Sequence, residues 1–445
     1  MAEPRLSRRA LLVAGGLTAA ALVGGGALAV RATGGGPADG PPLPRPEPLG
    51  LRAGADGVLR GELVAAPTGD GLRYNGVNPL VELREGDRVS LGFRNGLDVD
   101  SSLHLHGLPL APAVDAPLEH QAPGGSRVQE FTVPAGTAGT YWYHPHAHGG
   151  VEWQILAGLA GPVVVTGPTD DLLRGCDDRL VMFTRTGREV GVNGVVRPVF
   201  RPTSGRTRLR LLNATPGDHL LIGVLRREDR VPMHLIATDG GFVEAPVEVA
   251  EVLLAPGERA EVLVETSAAG RLELTALPYS TYGAGGAATP RSRLAAVEVP
   301  EGGLAAVPLP GRLREVEVLD PATAVRRRRI AFGGDGTGGF TLDGRVFDHH
   351  RVDLTAGLGT LEVWDLVNEH TTDHPFHLHS YRFQVVARDG RPEALTAWRD
   401  TVNVPPGGTV TIAVPFLGEA GRTVYHCHIA SHEDQGMMGV LEVTA

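Results

Sequence analysis

Apolar and polar residues alternate with period two over many short stretches, as in Val81-Glu82-Leu83 and Glu261-Val262-Leu263-Val264-Glu265. Such alternation predicts strands with one buried face. No long stretch keeps the 3.6-residue period of an amphipathic helix. The pattern also recurs. A turn of Asn or Asp followed by Gly opens each of three copies, at Asn75-Gly76, Asn193-Gly194 and Asp343-Gly344. An alternating strand then ends in Asn, at Asn95, Asn213 and Asn368. The Asn follows its turn by 20 residues in two copies (75 to 95, 193 to 213) and by 25 in the third (343 to 368). A Pro-Gly turn comes later in each copy, at Pro123-Gly124, Pro256-Gly257 and Pro406-Gly407. The reading is an all-β chain of three tandem antiparallel β-sandwiches with approximate limits 50–170, 171–305 and 306–445.

Composition narrows the picture. The 445 residues include 61 Gly and 34 Pro, enough for many turns, and 42% apolar residues, enough for several cores. The formal net charge of −10 excludes a nucleic-acid partner of the usual basic kind. The N-terminus reads as a targeting segment over residues 1–30. Ser7-Arg8-Arg9-Ala10-Leu11-Leu12 is a twin-arginine signature, and a weakly apolar run follows it to Val30. Ala27-Leu28-Ala29 is a plausible cleavage site. Residues 31–49 read as a Gly/Pro-rich linker. The expectation is export in the folded state to a periplasmic, extracellular or cell-surface location. No other membrane segment is expected, and the oligomeric state is left open.

The chemistry-bearing residues are concentrated in copies one and three. Of 17 His, eight form four His-x-His pairs: His104/His106, His144/His146, His377/His379 and His426/His428. On a strand, residues two apart share a face. Each pair therefore presents two imidazoles together, and copies one and three can pool eight nitrogens. Eight exceed the needs of one ion and suit a cluster of about three. Cys427 lies between His426 and His428 and points the opposite way. His432 and Met437 follow where a loop can fold back toward its sulfur, and two His, one Cys and a weak thioether form the blue-copper ligand set. His374, three residues before His377, can join them. An isolated Cys beside a His is ordinarily a structural thiol, but this density of donors argues against that reading here. Zinc is a poorer fit, because it wants about four ligands per ion, calls for no Cys wedged between two His and relays no electrons. Cys176 is then a spare thiol rather than a disulfide partner. His148, His349, His350 and His370 have no place in the scheme and read as structural or surface residues. Arg326 to Arg329 reads as a solvated edge strand.

These four motifs resemble those of the three-domain bacterial multicopper oxidases, a family of laccases, bilirubin oxidases and cuprous oxidases. The resemblance covers almost the whole chain after the leader. It implies three cupredoxin-like Greek-key domains, a type 1 copper in the third, and a trinuclear cluster between the first and third, about four coppers per chain. By position, the type 1 ligands are His374, Cys427, His432 and axial Met437. The type 2 ligands are His104 and His377. One type 3 ion takes His106, His144 and His428, and the other His146, His379 and His426. Asp115 matches an acid that hydrogen-bonds near the type 2 ion, and Glu433 a proton donor; either could instead be a surface charge. The implied reaction removes electrons singly from a small-molecule or metal-ion donor, passes them through Cys427 and reduces dioxygen to water.

The donor is least legible. Phenols and aromatic amines are the first expectation. A cuprous or other metal donor in copper tolerance is the alternative, with Asp373 a possible metal-binding carboxylate. With five Met in the chain and no room for a methionine-rich insert, the cuprous reading is weakened. Some relatives keep the fold without the ligands and serve as structural partners in the envelope, but here all the ligands are present.

Overall fold

The structure is a computed structural model that describes residues 40–334 and 339–445. The expected leader, residues 1–30, lies outside the described residues. No helix among the described residues is long and apolar enough to cross a membrane.

Six sheets pair into three sandwiches built from successive stretches of chain, with strands spanning 52–166, 177–299 and 326–444. Each sandwich closes over its own apolar core. Leu91, Phe93 and Tyr141 are central in the first, Phe183, Leu211 and Val262 in the second, and Trp364, Phe376 and Ile412 in the third. The sheets are mixed rather than purely antiparallel. In each copy the first long strand runs parallel to the strand that ends in Asn, in one register: Ala65 faces Asn95, Phe183 faces Asn213 and Phe332 faces Asn368.

The repeated sequence signals have one physical meaning in all three copies. The opening residue of each turn adopts a left-handed backbone, with φ of 51° at Asn75, 50° at Asn193 and 50° at Asp343. Asn and Asp tolerate this conformation, and the following Gly continues it, which is the two-residue hairpin turn. The strand-ending Asn then ties loops together. Asn213 Nδ2 donates to the carbonyls of Asp218 and Leu254, and its Oδ1 accepts from Thr215 N. Asn95 and Asn368 repeat this set with Val99, Gln121 and Leu97, and with Thr372, Val404 and His370. The Pro-Gly turn clips onto the same residue, since Gly124, Gly257 and Gly407 each donate to the carbonyl of their copy's Asn. The Asn is thus a fastener at the sandwich end where the ligand loops emerge.

Asn213→Ala would remove the side-chain donor to the buried Leu254 carbonyl and leave the Asp218 carbonyl only its longer bond from Thr215 Oγ1. It is expected to destabilise the middle sandwich by about 2–3 kcal/mol. Denaturant unfolding of the full chain checks this, and an unchanged midpoint would refute the fastener role.

Candidate metal centres

Four short elements bring the His pairs together: strands His104–His106, Gly139–His144, His374–Leu378 and Gly421–Cys427. His104 lies opposite His144 in one sandwich, and His377 opposite His426 in another. Only His104/His106 lies wholly on a strand. In the other three pairs the second His sits one or two residues past the strand end, at His146, His379 and His428. Pro145, lacking an N–H, ends its strand before His146. Leaving the strand lets these imidazoles turn inward, where all eight gather in one buried chamber.

The ring nitrogens are sorted. His104 and His379 direct Nδ1 at the two oxygens of Asp115, at 2.6 and 2.8 Å. His144, His377 and His426 direct Nδ1 at the backbone carbonyls of Pro145, Asp400 and Cys427. His106 is reversed: its Nε2 faces Asp400 Oδ1 at 3.0 Å. A ring nitrogen that faces an oxygen holds the proton, so the other carries a lone pair. Those lone-pair nitrogens face further imidazole nitrogens. His106 Nδ1 is 3.1 Å from His428 Nε2 and 3.5 Å from His144 Nε2. His426 Nε2 is 3.0 Å from His379 Nε2 and 3.4 Å from His146 Nε2. Burial pushes His106, His144, His146, His377, His379, His426 and His428 below the ordinary histidine range, so the rings stay neutral. His104 Nε2 and His377 Nε2 are buried with no hydrogen-bond partner. Two nitrogens each about 2 Å from one ion at a tetrahedral angle lie roughly 3.3 Å apart. The facing lone pairs and orphaned nitrogens therefore fit metal ions. The groups His106/His144/His428 and His146/His379/His426 each converge on a point, and His104 and His377 converge together with His106.

A separate set forms behind the strand. Cys427 points away from its flanking His into the third core, which also holds Phe376 and Met437. His374 Nδ1 is 3.4 Å and His432 Nδ1 3.7 Å from Cys427 Sγ. His432 sits on one helical turn, Ala430–Asp434, rather than the expected loop. The Asp434 carboxylate accepts from Val151 N and Glu152 N of the first sandwich, both at 2.9 Å, and so seats this turn against the chamber. His432 is the partly exposed donor of the set, and the Phe340 ring stacks on it at 3.6 Å between centroids. Neither Cys427 nor Cys176 is in a disulfide.

Both expected carboxylates are buried rather than surface charges. Asp115 ends a short helix, Pro112–Asp115, and bridges His104 and His379. Glu433 reaches 3.2 Å from His146 Nε2 and from His426 Nδ1, yet neither oxygen makes a well-directed hydrogen bond. Burial, helped by Asp434, pushes its carboxyl well above the usual range, which favours the protonated form. Asp373 is also buried, and its Oδ2 accepts the Tyr279 hydroxyl at 2.6 Å. His370 is half-buried beside His374, with ring centroids 5.2 Å apart, and is not a surface residue. His148 packs against His120 and His146, while His349 and His350 are exposed. Arg326 to Arg329 pairs on one side only, with Glu362 to Asp365, and is the largely exposed edge expected, with Arg327, Arg328 and Arg329 reaching Asp365, Glu362 and Glu369. Sequence reasoning missed Asp400, Thr401, Arg259 and Trp142, whose ring stacks on His144 at 4.1 Å. No spacing signal links Asp400 to His106, 294 residues away.

Three β-sandwiches with one Cys/His set and one pooled His chamber define a cupredoxin-type copper oxidase. Two multicopper oxidase family models match the chain, over residues 67–170 and 315–445. The multicopper oxidase Mco of Staphylococcus haemolyticus is 28% identical over 404 residues, 84% of each chain. The cell division protein FtsP of Escherichia coli is 31% identical over 382 residues, 77% of each chain. A solved multicopper oxidase from Campylobacter jejuni, described as a metallo-oxidase, superposes with a TM-score of 0.82 at 26% identity, covering 91% of this chain and 96% of that one. The chain belongs to the multicopper oxidase family and is a copper-dependent oxidoreductase that uses dioxygen.

The buried Cys427 thiol is pushed far above its ordinary range, while His374 is lowered to about 2 and His432 to about 3, all chiefly by burial. A copper ion held here would take the thiolate, so loading this site would expel the Cys427 proton, and the two imidazoles would add none. Apparent copper affinity is therefore expected to rise about tenfold per pH unit between pH 5 and 8. Copper titrations followed by thiolate absorption check this; a flat profile would refute it.

Proposed function

We propose that this protein is a laccase-like oxidase that takes electrons one at a time from phenols or aromatic amines and reduces dioxygen to water. His374, Cys427, His432 and Met437 hold the type 1 copper. His104 and His377 hold the type 2 copper. His106, His144 and His428 hold one type 3 copper, and His146, His379 and His426 the other. Bound copper supplies the one-electron storage and the dioxygen chemistry. Cys427 is the covalent connection between the two ligand sets, because its side chain serves one and its chain neighbours His426 and His428 serve the other. Asp115 orients His104 and His379 by accepting both Nδ1 protons. Glu433 carries a proton against the chamber wall, where oxygen reduction consumes protons. The twin-arginine leader directs the folded protein out of the cytoplasm.

The observation that carries the donor class is the partly exposed His432 with the Phe340 ring stacked on it, an aromatic approach suited to an aromatic donor. Among the described residues cuprous ion finds no exposed thioether, since Met182, Met233, Met437 and Met438 are all buried. Asp373 is enclosed and engaged by Tyr279, which removes it as a surface metal site. The likeness to a metallo-oxidase structure keeps metal oxidation as the second reading. A purely structural role, suggested by the similarity to FtsP, leaves the convergent donor sets without purpose.

Steady-state kinetics on a substituted phenol and on Cu(I) separate the readings. Saturable turnover of the phenol with at least tenfold higher kcat/KM than Cu(I) is expected, and the reverse order would overturn the donor assignment. Glu433→Gln is expected to slow oxygen reduction about 10²–10⁴-fold while the type 1 copper stays reducible. Stopped-flow reoxidation at the wild-type rate would remove Glu433 from proton delivery.

A further inference from the structure

The middle sandwich supplies none of the twelve ligands, yet one of its side chains reaches the imidazole chamber. Arg259 opens the Arg259–Glu265 strand and is buried with its whole guanidinium committed. Its Nη1 and Nη2 form a two-pronged pair with Asp400, at 2.7 and 2.5 Å. Its remaining N–H groups reach the carbonyls of Thr140, Gly257 and Asp239. Asp239 also receives Arg259 N at 2.6 Å, so the residue is held from both ends.

Asp400 spends its other contacts on imidazoles. Its Oδ1 accepts from His106 Nε2 at 3.0 Å and from Thr401 Oγ1 at 2.8 Å, and its backbone oxygen accepts from His377 Nδ1 at 2.9 Å. His106 and His377 stack at 3.9 Å, with their planes 13° apart. Gly107 has φ of +91°, and a Cβ there would overlap both the guanidinium and the Asp400 carboxylate. The backbone is kept bare where the pair must pass.

Most chamber imidazoles offer Nε2 to the centre, but His106 offers Nδ1. That inversion needs an acceptor on its Nε2 side, and Asp400 Oδ1 at 3.0 Å is the nearer one, with Thr401 Oγ1, itself oriented by donating to Asp400, at 3.2 Å. We infer that Arg259 is a positioning residue that fixes Asp400 and thereby holds His106 in the Nδ1-binding orientation and His377 in the Nε2-binding one. This inference rests on the copper assignment proposed above. Removing Arg259 frees the carboxylate to rotate and leaves its charge buried without a partner. His106 can then take the other tautomer, whose lone pair points away from His144 and His428.

The test loads the full chain with copper and challenges it with a chelator. Total copper is counted by atomic emission, and the type 1 ion is followed separately by thiolate absorption. Arg259→Met is expected to keep the thiolate band and to weaken retention of the remaining copper about 10- to 100-fold. Arg259→Lys, which keeps the charge without the fork, is expected to fall between. Arg208→Met is the control. Arg208 lies in the same sandwich, equally buried, and pairs with Glu261 and Asp170 rather than with a group that touches an imidazole. It is expected to retain copper as the unaltered chain does. Wild-type retention in Arg259→Met, or equal loss in Arg208→Met, would overturn the inference. Should Arg259→Met lose the thiolate band too, Arg259→Lys decides: selective loss of the cluster copper supports the role, and full retention or loss of everything overturns it. An unaltered chain that binds copper only at the thiolate would instead sink the copper assignment itself.

Discussion

Two contacts bring uncharged imidazole nitrogens together with no proton between them, His106 Nδ1 with His144 Nε2 at 3.5 Å and His379 Nε2 with His426 Nε2 at 3.0 Å, and such lone pairs repel. A fold that gathers eight imidazoles in one buried chamber accepts this repulsion, and a cation turns it into attraction. The surrounding structure serves to stop the rings from escaping it. Protonation would relieve the repulsion, but burial opposes it. Rotation would relieve it too, but Asp115, Asp400 and three backbone carbonyls hold the outer nitrogens of six of the eight rings. The tautomers of those six are thus fixed from outside, by groups on the far side of each ring from the chamber centre.

The same constraint explains why one Cys can serve two sites. A strand directs successive side chains to opposite faces. His426 faces the chamber, and Cys427 faces the third core with Phe376 and Met437. The alternation that signals a strand in the sequence here separates two chemistries by one residue. For that reason the central features were legible before any coordinates: the His-x-His pairs, the Cys between two of them, and the threefold recurrence of turn, Asn and Pro-Gly. Each is local, and each has a local cause, either a backbone φ above zero or a period of two.

What stayed hidden in the sequence is nonlocal. The parallel pairing of the first strand in each copy depends on which sheet the chain crosses to, and alternation is blind to that. Asp400 reads as one acid after an Arg, and nothing in its neighbourhood announces a contact with His106. Glu433 could be named from its place beside His432, but its burial depends on Asp434 seating a helical turn on the first sandwich. Asp115 likewise becomes a bridge only because His379 arrives from the third copy. His370, which reads as a surface residue, is drawn beside His374 by Asn368, whose Oδ1 holds its backbone N–H.

Divergence of the three copies can then be read as a division of labour. Copies one and three keep the His pairs and lose self-sufficiency, since neither can close the chamber alone. Copy two has no pairs, but it keeps the fastening Asn and the Pro-Gly turn, and directly after that turn it places Glu258 and Arg259. Glu258 Oε2 accepts from Ala255 N and closes the turn, which fixes where the next residue enters. Arg259 then spans the seam, with Asp400 of the third sandwich on one side and Thr140 of the first on the other. Such a buried pair is costly to desolvate and contributes little to stability by itself. Against the penalty of burial, the guanidinium keeps the Asp400 carboxyl well below its usual range, so that it stays ionised as an acceptor for imidazole N–H groups. An apolar seam would bind the sandwiches together as firmly, but it would leave His106 free to choose its tautomer. The sandwich without ligands therefore acts on the metal chamber through geometry and charge.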